Sequence, residues 1–108
     1  YTGTHDNNTV KGWFENEASD QERRRVFEYL GRVIPIDELA WEMVRTVMMS
    51  VADVAILPMQ DLLGLGQEAR MNCPSLYQGN WRWRASEEAF HPVLGQRLRK
   101  LTELYGRA

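Results

Sequence analysis

Five consecutive positions, His5-Asp6-Asn7-Asn8-Thr9, carry hydrogen-bonding side chains. An imidazole beside a carboxylate, with amides and a hydroxyl to hold them, suits recognition of a polyhydroxylated ligand or a catalytic carboxylate fixed by its neighbours. The same residue types also close turns through Asx hydrogen bonds, and spacing alone leaves both readings open. Other chemistries fit less well. His91 is the only other histidine and Cys73 the only cysteine, so the ligand spacing of a metal site is missing and no metal is expected. Cys73 has no histidine near it in sequence and reads as an incidental thiol, not a nucleophile. Gly64-Leu65-Gly66 lacks the third glycine and the lysine of a phosphate-cradling loop. Trp81-Arg82-Trp83-Arg84 alternates aromatic and guanidinium groups, which on a strand would separate them onto opposite faces. That pattern fits a half-buried extended segment or a stacking platform for sugars or bases.

These residues must be held by the elements around them. Tyr1 to Val10 is rich in Thr, Asn, Asp and Gly and reads as a loop. Ser19 with Glu22 forms a capping box and Gly31 a C′ stop, predicting a helix over Asp20 to Leu30 whose Arg23, Arg24 and Arg25 are solvated. Ile36, Asp37 and Trp41 have the N′, N-cap and N4 spacing of a hydrophobic staple. The helix they start carries Ala40, Met43, Val44, Val47, Met48 and Val51 on one face. That stripe reads as packed core; its methionines fill gaps and need not form a partner groove. Val54 to Met59 is a continuous apolar run, the pattern of a strand buried on both faces, with Pro58 near its end. Asp61 to Arg84 is a long connection of the kind that serves a site. Pro92 at N1, the set Leu94, Leu98, Leu101, Leu104 and Tyr105, and Gly106 at the stop predict a closing amphipathic helix. Helix, buried strand and helix in succession predict an α/β layer structure. One strand cannot satisfy its own backbone groups, so its neighbours are expected outside this sequence.

The chain has 108 residues, 13 Lys+Arg against 15 Asp+Glu, 44% hydrophobic and 26% charged residues. That is a globular composition of one domain's core at most. A net charge of -2 with interspersed signs offers no basic surface for nucleic acid or an anionic membrane, and neither partner is expected. The richest apolar stretch, Val47 to Met59, is broken by Ser50, Asp53 and Pro58 and falls short of the roughly 18 to 20 residues that span a bilayer. A lone cysteine favours a reducing compartment, with the cytoplasm as the expected location. The start at Tyr1, without an initiator Met or signal-peptide pattern, reads as a piece of a longer chain.

Several separated motifs, taken together, are specific. They are Tyr1-Thr2-Gly3-Thr4-His5-Asp6-Asn7, Gly12-Trp13, Gln60-Asp61-Leu62-Leu63-Gly64-Leu65-Gly66, Glu68-Ala69-Arg70-Met71-Asn72, Pro74, Gly79-Asn80-Trp81, Trp83-Arg84 and Leu101-Thr102-Glu103-Leu104-Tyr105-Gly106. In this order and spacing the chain resembles the C-terminal quarter or so of the 4-α-glucanotransferases, the amylomaltase or disproportionating-enzyme family. The resemblance implies the C-terminal portion of a (β/α)8 TIM barrel: the tip of the seventh strand, an eighth strand near Val54 to Met59, its long active-site loop and the final helices. Residues 1–108 would form part of one catalytic barrel whose remainder lies upstream of Tyr1. The implied activity is retaining transfer of α-1,4-glucan segments to the 4-OH of an acceptor glucan or glucose, with no cofactor. By the same likeness Asp6 is the catalytic-type carboxylate that binds the reacting sugar's hydroxyls and stabilises the oxocarbenium-like transition state. His5 binds the same sugar, Asn72 is an acceptor-side glucan contact and Trp81 shapes the loop. The nucleophile and acid/base would lie upstream. Many members have Asp at the position of Asn8, so a charge present in them is absent here.

Two alternatives use the same residues differently. An α-glucan hydrolase would share the carboxylates, and a non-catalytic helical interaction module would need only the amphipathic helices. The isolated chain is expected to be inactive and poorly soluble, because helix faces that cover a barrel would have none to cover.

Overall fold

Helix boundaries follow from which side chains satisfy the orphan backbone groups at each end. The computed structural model describes residues 1–107. It contains α1 (Val10–Asn16), α2 (Asp20–Leu30), α3 (Ile36–Met48), α4 (Met59–Leu62) and α5 (Pro92–Leu104), with short 3-10 turns at Gln67–Ala69 and Glu87–Ala89. The predicted capping box of α2 is present: the Ser19 hydroxyl accepts the Glu22 N–H at 3.1 Å and the Glu22 carboxylate accepts the Ser19 N–H at 2.9 Å. Gly31 ends α2 at φ 83°, a left-handed conformation that glycine takes without steric cost. α5 starts where Pro92 predicts, its first turn capped by His91 Nδ1 accepting the Val93 N–H at 3.2 Å. Gly106, at φ 68°, lies in its closing turn.

α3 supplies most of the core. Its Leu39 and Ala40 pack with Val10 and Ile34 on one side, while Trp41, Val44 and Met48 pack on the other against α5 and the segment after α3. Leu39 and Val44 are fully buried, each stabilising by about 1.5–3 kcal/mol. The Arg97 guanidinium sits 4.0 Å from the centre of the Trp41 ring and covers its outer face. The end of α3 is closed from a distance, with Arg107 donating to the carbonyls of Met48, Ser50 and Ala52 at 2.6, 3.2 and 2.8 Å. Val51, expected on the core stripe, lies past this end and is fully exposed. Asp37 does not cap α3. The helix begins two residues earlier than that cap implies, after Pro35, and Asp37 sits in its first turn 3.4 Å from Lys11 Nζ.

The α/β expectation is corrected for the described residues, which form helices, turns and loops but no strand. Val54 to Met59 is not a strand buried on both faces. Ala55 and Leu57 pack against the Trp41 cluster, whereas Val54 and Ile56 are 71% and 66% exposed. This alternation is the period of an extended chain, but a ladder requires a second backbone alongside, and none pairs with it among the described residues. Met59 already belongs to α4. The stretch Asp61 to Arg84 is likewise not structureless, since it contains the rest of α4 and the Gln67–Ala69 turn. Trp81 to Arg84 is not a strand either. Trp81 has φ 60°, which interrupts any extended alternation.

α1 is not foreseen by periodicity, because its seven residues are too few for an apolar stripe to register. Tertiary bonds fix it. The Thr9 hydroxyl accepts the Gly12 N–H at 3.0 Å, and buried Asp61 accepts the Val10 N–H at 2.9 Å through Oδ1 and the Thr2 hydroxyl at 2.6 Å through Oδ2. A carboxylate at a helix start also complements the helix dipole. Gly12 lies so close to Asn8 and Gln67 that a Cβ there would come within 2.9 Å of the Gln67 backbone N.

Asp61→Ala strands a buried N–H and should lower the unfolding free energy by about 1–3 kcal/mol, read from denaturant midpoints. Asp61→Asn, which keeps one acceptor, should cost less. Gly12→Ala should destabilise by about 1–3 kcal/mol through forced displacement of Asn8 and Gln67, read as a lowered melting temperature.

Candidate functional site

The turn from Thr4 to Asn7 is closed on itself. The Asn7 N–H donates to the Thr4 carbonyl at 3.1 Å, and Asn7 Oδ1 accepts the Thr4 N–H at 2.7 Å and its hydroxyl at 3.0 Å. His5 and Asp6 therefore project from the tip of a pinned turn, their side chains 57% and 49% exposed, with His5 Nε2 3.4 Å from Asp6 Oδ1.

A second segment, following the Gln67–Ala69 turn, lies against this tip. The Asn72 N–H donates to the His5 carbonyl at 3.1 Å, and Asn72 Nδ2 donates to Asp6 Oδ1 at 2.6 Å. Arg70 adds a fork: Nη2 to the Asp6 carbonyl at 2.8 Å, Nε to the Asn72 carbonyl at 2.9 Å and Nη1 to Glu17 Oε1 at 3.0 Å.

Trp81 completes the group. Asn80 closes the intervening loop by accepting the Cys73 N–H at 2.9 Å and donating to the carbonyls of Cys73 and Leu76 at 3.3 and 2.9 Å. The Trp81 N–H then reaches the Met71 carbonyl at 2.6 Å and its ring lies 5.1 Å from that of His5, tilted by 36°. A bulky residue at positive φ costs about 1–3 kcal/mol and persists only where its surroundings over-determine it. Here the backbone bond and the imidazole contact hold it.

The structure thus brings His5, Asp6, Asn72 and Trp81 together although 66 positions separate Asp6 from Asn72. His5 and Trp81 also line a cleft of about 380 Å³, with Tyr1, Ile56, Arg70 and Met71 on its walls. Asp6 and Asn72 are not part of that lining and stand on the adjoining surface. With Asp6 Oδ1 engaged by Asn72, Oδ2 is the oxygen left without a hydrogen bond among the described residues. Glu17, the cluster's other carboxylate, is occupied by Arg70 and by Asn8 Nδ2 at 3.4 Å. The arrangement offers one open carboxylate, one imidazole and an indole face beside a cleft, a set that accepts hydroxyl protons and covers the apolar face of a sugar-like ring.

Asn8 is buried and bonds to Glu17, to Gln67 Oε1 at 3.3 Å and to the Thr9 N–H at 2.9 Å, not to Asp6. A carboxylate at this position would lose the donor and face Glu17 with like charge. Cys73 Sγ lies 3.3 Å from the Ser75 hydroxyl, whose hydrogen bond holds the thiol below its ordinary pKa. Its neighbour is a hydroxyl, so no base stands ready to activate it. His91 serves as the cap of α5, away from the cluster. Among the described residues no group of three or more His, Cys, Asp or Glu could hold a metal ion.

Arg70, Glu17, Asn80 and Asp61 organise the site without having been assigned roles from sequence. Their partners lie 2 to 64 residues away, and the pairings that join separate segments, Arg70 with Asp6 and Glu17 and Asp61 with Thr2 and Val10, span 51 residues or more, beyond the reach of local spacing.

The 4-alpha-glucanotransferase family model matches residues 1–89. The chain is 46% identical to the 4-alpha-glucanotransferase of Synechocystis sp. and 48% identical to that of Aquifex aeolicus, in each case over 99% of this chain and 21% of the relative. It therefore spans about a fifth of the length of these relatives. Among solved structures, the amylomaltase from Streptococcus agalactiae in complex with acarbose superposes with a TM-score of 0.85 at 35% identity, over 98% of this chain and 21% of that one. Matches of this identity along nearly the whole chain, with the shared fold, place it plainly: the chain belongs to the 4-alpha-glucanotransferase family.

Proposed function

We propose that the protein carrying this chain is a 4-α-glucanotransferase, moving α-1,4-glucan segments from a donor maltodextrin to the 4-OH of an acceptor with retention. The carrying observation is the convergence of His5, Asp6, Asn72 and Trp81 on one surface. Asp6 accepts hydrogen bonds from hydroxyls of the sugar being transferred, contacts that strengthen as the ring gains oxocarbenium character. His5 binds the same sugar, Asn72 holds Asp6 from the acceptor side, and Trp81 walls the loop. The solved relative with acarbose supports an α-glucan as the ligand.

A retaining mechanism needs a nucleophile and an acid/base, and this cluster offers a single open carboxylate. We infer that both stand elsewhere in a (β/α)8 barrel of which residues 1–108 form the C-terminal part. The exposed outer face of Val54 and Ile56, of which Ile56 lines the cleft with Tyr1, supports this reading: it is an apolar edge that neighbouring strands of a barrel would cover. No described helix is long and apolar enough to cross a membrane. The lone Cys73 supports a reducing, cytoplasmic setting.

The test is product chromatography of the full-length protein with maltotriose, wild type beside Asp6→Asn. Wild type should yield glucose and a ladder of longer maltodextrins, and the variant should lose about 10²- to 10³-fold in rate with its fold retained. Glucose and maltose alone would make the protein a hydrolase. An undiminished ladder from Asp6→Asn would remove Asp6 from the mechanism. The isolated chain should give no transfer.

A further inference from the structure

We propose that Arg70 is a positioning residue for transfer, acting through the backbones of Asp6 and Asn72; this rests on the transferase reading above. Each nitrogen of its guanidinium serves a different segment: Nη2 the carbonyl of Asp6, Nε the carbonyl of Asn72 and Nη1 the carboxylate of Glu17, at 2.8, 2.9 and 3.0 Å. The fork is rigid and planar, so fixing one partner fixes the direction to the other two. Its anchor is firm. Glu17 follows α1 and is steadied by buried Asn8, and the Arg70 side chain is 19% exposed, against 49% for Asp6.

The geometric consequence is direct. The 2.6 Å bond from Asn72 Nδ2 to Asp6 Oδ1 requires the two backbones to keep a set separation, and Arg70 spans their carbonyls. That bond decides which Asp6 oxygen is spent on the protein and which faces the sugar. All three guanidinium nitrogens of Arg70 are spent on protein acceptors, so its influence reaches the sugar through Asp6. Its loss should therefore act on the transition state, where Asp6 contributes most, and little on ground-state binding.

The experiment compares full-length wild type, Arg70→Ala, Arg70→Lys and Asp6→Asn with maltotriose, with and without millimolar guanidinium, alongside thermal melts. Arg70→Ala should lose about a hundredfold in kcat with KM little changed, since an ångström-scale misplacement of a catalytic group costs that much. Arg70→Lys should recover little, because one ammonium cannot serve three diverging acceptors. Added guanidinium should raise the rate of Arg70→Ala several-fold and leave that of Asp6→Asn unraised. A merely structural role predicts the reverse, as guanidinium further weakens a destabilised fold. Wild-type kcat in Arg70→Ala, or a loss that tracks melting temperature without rescue, overturns the proposal. Wild type that makes no ladder removes the transferase reading, and the proposal falls with it; an active wild type with an unaffected Arg70→Ala removes the proposal alone.

Discussion

Buried Asp61 is the contact on which the architecture around the site depends. One carboxylate accepts from the Thr2 hydroxyl and from the first amide of α1, tying the extended start of the chain, α1 and α4 to one point. Extended segments that lack a ladder have no backbone pairing to hold them, so side chains must supply the constraint. Thr2 and Val10 bracket the Thr4–Asn7 turn. Pinning both flanks lets a short internal hydrogen-bond set decide where His5 and Asp6 point.

The site then repeats the same solution on a smaller scale. Arg70 faces one carboxylate and two carbonyls, so its charge is balanced by Glu17 and its remaining donors are spent on neutral acceptors. Asn8 adds a neutral donor to Glu17 and introduces no second anion. An Asp at this position would have to be balanced differently. Here the only cluster carboxylate without a cationic partner in firm contact is the one whose second oxygen is open.

Much of this was legible in the residues, and unevenly so. α2 and α5 were readable because their signals are local: a Ser and a Glu three apart, a Pro at the first turn, a Gly at the stop. α1 was not, since its start is set by Asp61 from 51 positions away. The run Val54 to Met59 alternates in burial over Val54 to Leu57, as an extended chain does, but it is neither buried on both faces nor paired among the described residues, because a ladder depends on a second backbone and not on the run itself. His5, Asp6, Asn72 and Trp81 could be named by family resemblance. What no pattern disclosed was the Arg70 fork that joins two of them.

Trp81 shows how far such a site can drift from what stability alone would choose. At φ 60° the position suits glycine, which would relax the backbone but remove the ring packed on His5. Selection for robustness and selection for the aromatic wall therefore pull the same codon in opposite directions. Were the ring contact on His5 lost, nothing in the backbone would favour an indole over glycine or asparagine at this position.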